Sequence, residues 1–68
     1  MYSINFENIE NDELIHIWQG TAHILVSFQN TMTLQYYKTI NDVVNGLWSQ
    51  GFKETARKFN KQYHAQGE

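Results

Sequence analysis

The sequence predicts an α+β fold, with an antiparallel β-meander of three to four strands followed by a C-terminal helix pair, or one kinked helix, packed on one sheet face. In the first half of the chain apolar residues alternate with polar ones, which is typical of half-buried strands. After residue 39 they recur every three or four positions, as on one face of a helix. The segments between these runs are short, which favours pairing of consecutive strands.

A first strand is predicted over residues 2–6, where apolar and polar side chains alternate. The next segment, residues 7–13, is acidic and rich in turn-forming residues, so an exposed connection is expected there. The apolar side chains that share one face of this strand are Tyr2, Ile4 and Phe6.

Residues 14–18 favour a second strand, because Ile15 and Ile17 are β-branched and flank a polar histidine. A short helix is the alternative, since Asn11 is a suitable N-cap and Gly20 a suitable end. Gln19 and Gly20 together form a credible hairpin turn, which supports the strand.

The clearest strand signal covers residues 21–28, and the turn-prone residues 29–31 then lead into another alternating run. This pattern predicts a β-hairpin. It leaves Leu25 and Tyr37 on the outer face of the sheet. The residues predicted to point inward are Ala22, Ile24, Val26, Phe28, Met32, Leu34 and Tyr36.

Two helical segments are predicted after the hairpin. Thr39 and Asp42 have the spacing of a capping box, and an apolar stripe follows, so a helix is expected over residues 40–49. A second stripe lies roughly 120° around the helix axis from the first, so one straight helix cannot bury both. Gly51 is the natural break between them. The second stripe consists of Phe52, Ala56, Phe59 and Tyr63.

The composition predicts one small domain over residues 1–68, acting in the cytoplasm. The chain has 68 residues, a formal net charge of −2 and no cysteine, which excludes disulfides and thiolate metal sites. Its core must depend on aromatic residues, and self-association as a homodimer is a second way for so small a chain to gain stability. The N-terminus lacks the pattern of a secretory signal, and no apolar run is long enough to cross a membrane.

A cluster of basic residues near the C-terminus is the sharpest functional signal, since nothing before Lys38 carries a positive charge. Such a cluster suits a phosphate backbone or an acidic protein surface, but it is also typical of a merely solvated helix face. A helix-turn-helix over residues 40–62 is a further alternative. The residues predicted to bind a partner or nucleic acid are Lys53, Arg57, Lys58, Lys61 and His64.

Other functional signals are weaker. The histidines lack metal-ligand spacing, although His16 and His23 could lie near each other on adjacent strands around the turn at residues 19–20. No metal, no cofactor and no enzymatic activity are expected, because there is no nucleophile motif or phosphate-binding loop. An apolar spot on the outer sheet face and the acidic segment form a candidate protein interface. Its residues are Leu25, Tyr37, Glu10, Asp12 and Glu13.

The sequence therefore favours a small intracellular regulator or inhibitor that binds a macromolecule. The first hypothesis is a protein partner, with a homodimer as one arrangement. The alternative is a nucleic-acid-binding regulator that uses the basic helix. A phage or mobile-element origin would suit such a protein, although the composition does not show it.

Overall fold

The fold is an α+β arrangement in which a four-stranded antiparallel meander precedes two helices that pack on the sheet, as predicted. A computed structural model describes residues 4–64, apart from the side chain of residue 64. The strands are ordered β1-β2-β3-β4 across the sheet. The elements are β1 (Asn5–Glu10), β2 (Glu13–Gln19), β3 (Ile24–Phe28), β4 (Thr33–Tyr37), α1 (Ile40–Ser49) and α2 (Lys53–Phe59), and a π-helical turn (Asn60–His64) continues α2.

The first hairpin is tighter than the sequence predicted. β1 runs to Glu10, which pairs with Glu13, so most of the expected connection is strand. Asn11 and Asp12 alone form the turn, with φ angles of 55° and 61°. Both residue types tolerate the left-handed conformation that a two-residue hairpin turn requires. The prediction of a strand over residues 14–18 is confirmed by β2, while residues 2–3 of the first predicted strand lie outside the described residues.

β3 confirms three of the seven side chains that were predicted to point inward. Ile24, Val26 and Phe28 are buried, whereas Ala22 is exposed because residues 20–23 form the turn before β3.

The inward assignments in β4 are wrong. Met32, with a left-handed φ of 54°, belongs to the turn, and Phe28 pairs with Thr33. A shift of one residue moves every side chain of a strand to the opposite face. Leu34 and Tyr36 therefore lie on the uncovered face, while Tyr37, predicted outside, packs against the core.

Local signals define α1 and the break after it. The backbone N–H of Asp42 donates to Thr39 Oγ1 at 3.0 Å, which caps the predicted helix start. At the other end Gly51 has a φ of 96°, and the N–H of Phe52 donates to the carbonyl of Leu47 at 2.9 Å. This is a Schellman motif, so the predicted break at glycine is confirmed.

One core lies between the sheet and the helices. Val43 and Leu47 of α1 and Ala56 and Phe59 of α2 are buried there, and Phe59 meets Phe6 of β1 edge to face at 5.5 Å between ring centroids. The second apolar stripe is thus covered by the chain's own sheet. No helix within residues 4–64 is long and apolar enough to span a membrane.

Candidate functional site

Three of the predicted basic residues form one exposed line along α2 and the turn that continues it. Lys53, Arg57 and Lys61 follow one another at four-residue intervals, and all three are exposed. They face solvent because α2 buries its opposite side, including Thr55, against the sheet. We call these three cations the basic row. Its side chains are free of the core and available to a ligand.

Trp48 completes this surface from the last turn of α1. The Schellman reversal at Gly51 brings α2 back beside it, so that Lys53 Nζ lies 5.3 Å and Arg57 Cζ 5.6 Å from the indole ring centroid. Cations this close to an aromatic face are attracted by its quadrupole. The indole is nevertheless 43% exposed. We call Trp48 together with the basic row the basic-aromatic patch.

Lys58, also predicted as a binding residue, lies apart from this patch. Its Nζ is 3.9 Å from Glu54 Oε2 and 3.4 Å from Asn8 Oδ1, which directs it toward β1. Across residues 4–64 this is the one ion pair between side chains within 4.0 Å. The basic row therefore has no carboxylate neighbour within that distance among the described residues. The side chain of His64 lies outside the described part.

Glu10, predicted as an interface residue, makes its hydrogen bonds within the molecule. Its carboxylate accepts hydrogen bonds from Thr55 N at 2.8 Å and Thr55 Oγ1 at 2.7 Å, and a longer one from Glu54 N. Burial raises the pKa of Glu10, but these hydrogen bonds and nearby Lys58 lower the pKa by more, so the net shift is downward. The carboxylate thus holds the first turn of α2, whose N–H groups have no helical partner.

The other two acidic interface candidates differ from each other. Glu13 is buried, and its carboxylate accepts a hydrogen bond from Asn30 N at 2.6 Å, which ties β2 to the turn before β4. Asp12 is exposed at the tip of the first hairpin. Two of the three predicted acidic contacts therefore serve the fold, and only Asp12 presents its side chain outward.

Tyr37 and Leu25 occupy opposite faces of the sheet. Tyr37 packs on the helix side, where its hydroxyl donates to Gln35 Oε1 at 2.6 Å and burial raises its pKa, partly offset by a hydrogen bond with Gln50. Leu25 pairs with Tyr36 on the side of the sheet that neither of the described helices, α1 and α2, covers. We call that side the open sheet face. Its apolar residues are Ile9, Leu14, Trp18, Leu25, Leu34 and Tyr36.

Sequence reasoning missed two features of these surfaces. The part that Trp48 takes in the basic-aromatic patch is one of them, because it depends on the chain reversal at Gly51. Leu34 and Tyr36 were assigned to the core because the left-handed Met32 was not foreseen. The signal that could have located Trp48 was its position within one turn of the glycine.

His16 and His23 lie in different elements of the fold. His16 is opposite Ser27, stacks near Trp18 at 4.7 Å and shares a 3.0 Å hydrogen bond with Asn5 Oδ1, whereas His23 lies in the turn before β3. No group of three or more potential metal ligands occurs among the described residues.

Comparison of the chain with models of known protein families, with curated proteins and with solved structures found no match. Its functional assignment therefore depends on the surfaces described above.

Proposed function

We propose that this chain is a small cytoplasmic regulator or inhibitor that binds an acidic surface of a partner protein through the basic-aromatic patch. The observation that supports the proposal is the exposed Trp48 with Lys53 and Arg57 beside its ring. Tryptophan and arginine are the residue types that most often dominate binding energy at protein interfaces. A patch that places both at one spot suits recognition of a protein.

The charges of the patch favour an acidic partner. The acidic side chain of α2, Glu54, lies 3.9 Å from Lys58, and the Glu10 carboxylate at the end of β1 accepts a hydrogen bond from Thr55. A carboxylate on a partner would thus meet cations without internal competition. Such complementarity steers association and selects against basic partners.

The patch is also partly preorganised. Two long cationic side chains already lie beside the indole ring, so less rotamer freedom is lost when they bind than for fully extended side chains. Trp48 supplies apolar area at the centre, and the cations form a polar rim around it, which is the usual anatomy of an interface.

Affinity capture tests this proposal. The wild-type chain and a Lys53→Glu/Arg57→Glu/Lys61→Glu variant would be used as baits in the same lysate, and bound proteins quantified by mass spectrometry. We expect at least one protein whose recovery falls about tenfold or more with the variant, since hot-spot cations contribute more than 1.4 kcal/mol.

Lys38→Glu is the matched control, because it reverses a cation that lies outside the patch. It should leave recovery of that protein unchanged. A list of bound proteins that is identical for all three baits would rule the basic-aromatic patch out as the binding surface.

A nucleic-acid regulator is the second candidate. The basic row could follow a phosphate backbone, and the exposed ring of Trp48 could stack on an unpaired base. Titration of labelled duplex and single-stranded DNA at low and moderate salt separates the two candidates, because phosphate contacts weaken steeply as salt rises. Absence of salt-sensitive binding would remove this second function.

A further inference from the structure

Within residues 4–64, the fourth strand has an edge that pairs with no other strand. The meander order places β1 and β4 at the two sides of the sheet. An edge strand presents unpaired N–H and C=O groups, which natural proteins commonly protect with charges, proline or bulges.

The ladder shows which backbone groups of β4 point outward. The N–H of Gln29 donates to the carbonyl of Leu14, so odd-numbered residues of β3 bond to β2 and even-numbered ones bond to β4. The partners of those even-numbered residues in β4 are Thr33, Gln35 and Tyr37. The backbone groups of Leu34 and Tyr36 therefore face away from the sheet.

The two edges differ in their chemistry. β1 carries Glu7 and Glu10, and a second copy of β1 aligned with it would bring like charges together. β4 reads Thr-Leu-Gln-Tyr-Tyr and has no charge, no proline and no glycine. Its side chains on the open sheet face, Leu34 and Tyr36, are 47% and 61% exposed. The β4 edge thus lacks the protection that β1 has.

We propose that β4 pairs antiparallel with β4 of a second copy of this chain, in a register centred on Gln35. That register places Leu34 of each copy opposite Tyr36 of the other, and both residues have outward backbone groups, so about four hydrogen bonds form between the strands. Two apolar cross-strand pairs form on the open sheet face at the same time. The strand is self-complementary, as a two-fold interface requires.

The dimer joins two four-stranded sheets into one continuous sheet. This pairing gives a surface to the homodimer that the sequence favours as one arrangement of the chain, and it does not depend on binding through the basic-aromatic patch. The basic-aromatic patch lies on α1, α2 and the π-helical turn rather than on β4. Failure of the dimer would therefore leave binding through that patch untouched, and the two outcomes can be told apart.

Sedimentation equilibrium of the purified chain, with charged variants at the paired positions, tests the proposal. We expect the wild type to reach twice its 8.1 kDa mass with rising concentration. Leu34→Glu and Tyr36→Lys should each raise the dissociation constant about tenfold or more, because each places an unmatched charge in the pairing strand. An equimolar mixture of the two variants should restore the dimer, since the new glutamate of one then faces the new lysine of the other.

Leu25→Glu is the control, because Leu25 lies on the open sheet face but in the internal strand β3. It should leave the edge-paired dimer intact, and circular dichroism would verify that every variant is folded. A wild type that stays at 8.1 kDa up to about 1 mM would overturn the proposal. The proposal would also be overturned if Leu25→Glu abolished the dimer and the mixture of Leu34→Glu and Tyr36→Lys did not restore it. That result would indicate that two copies pack through their open sheet faces.

Discussion

At the scale of single residues, Glu10 of the first hairpin stabilises the packing of α2 against β1. Thr55 is fully buried, and its hydroxyl both donates to Glu10 and accepts from Asn8 Nδ2 at 2.8 Å. A buried hydroxyl without partners would be costly, so this short network fixes α2 against β1. Glu10 contributes the charge that holds it together.

The Glu10 carboxylate makes stability depend on pH. The pKa of Glu10 is lowered in the folded state. The stability that the carboxylate contributes is therefore fully present above the unfolded pKa of about 4.3, and it is lost as the pH falls through the folded pKa. Glu10→Gln should therefore lower the free energy of unfolding by about 1 kcal/mol at neutral pH. The free energy of unfolding of this variant should also decrease less than that of the wild type as the pH falls. Urea unfolding across this pH range measures both effects.

Asp12→Asn is the matched control for this measurement. It removes one carboxylate from the adjacent turn, and asparagine tolerates the left-handed φ there. It leaves the hydrogen bonds of Glu10 in place, so stability should still decline in acid. Equal pH profiles for Glu10→Gln and wild type would contradict the role given to Glu10.

At the scale of elements, α1 lies close against β4 at Gly46. A Cβ atom built on Gly46 would come within 2.5 Å of the Tyr37 hydroxyl oxygen. That hydroxyl donates to Gln35 Oε1, so a shift of the ring to make room would strain this hydrogen bond. Glycine at this position leaves room for the Tyr37 ring against α1.

Gly46→Ala should thus destabilise the protein by about 1–3 kcal/mol, the usual cost of overpacking, although alanine is the better helix former. Asn45→Ala is the control, since residue 45 is exposed on the same helix and the change should be neutral or slightly stabilising. Thermal unfolding of both variants checks this. A Gly46→Ala variant more stable than wild type would show that α1 does not pack closely on β4.

The elements also show why some features could be predicted from the sequence and others could not. α1 and the break at Gly51 depend on neighbours within five residues, through the Thr39 cap and the Schellman motif, so local pattern was sufficient. The face of β4 depends on the left-handed turn residue Met32, which alternation alone does not reveal. Trp48 joins the basic row only after the chain reverses at Gly51.

At the scale of the whole molecule, the described helices cover one face of the sheet and leave the other, the open sheet face, uncovered. The helices bury the apolar residues of one side, and the basic row faces away from that core. Trp48 lies in the helix layer, in α1, while Trp18 lies on the open sheet face. The two tryptophans therefore distinguish the two surfaces on which a partner could bind.

The central claim is that the basic-aromatic patch is covered when the partner binds, and the fluorescence of Trp48 in a Trp18→Phe variant tests it most directly. Acrylamide quenching would be measured before and after addition of the partner isolated by affinity capture. The partner would be prepared without tryptophan fluorescence of its own, so that the emission comes from Trp48. We expect the emission of Trp48 to move to shorter wavelength and its quenching to fall several-fold, because the indole leaves water. Unchanged emission and quenching of Trp48, with protection of Trp18 in the converse Trp48→Phe variant, would contradict the claim and place the partner on the open sheet face.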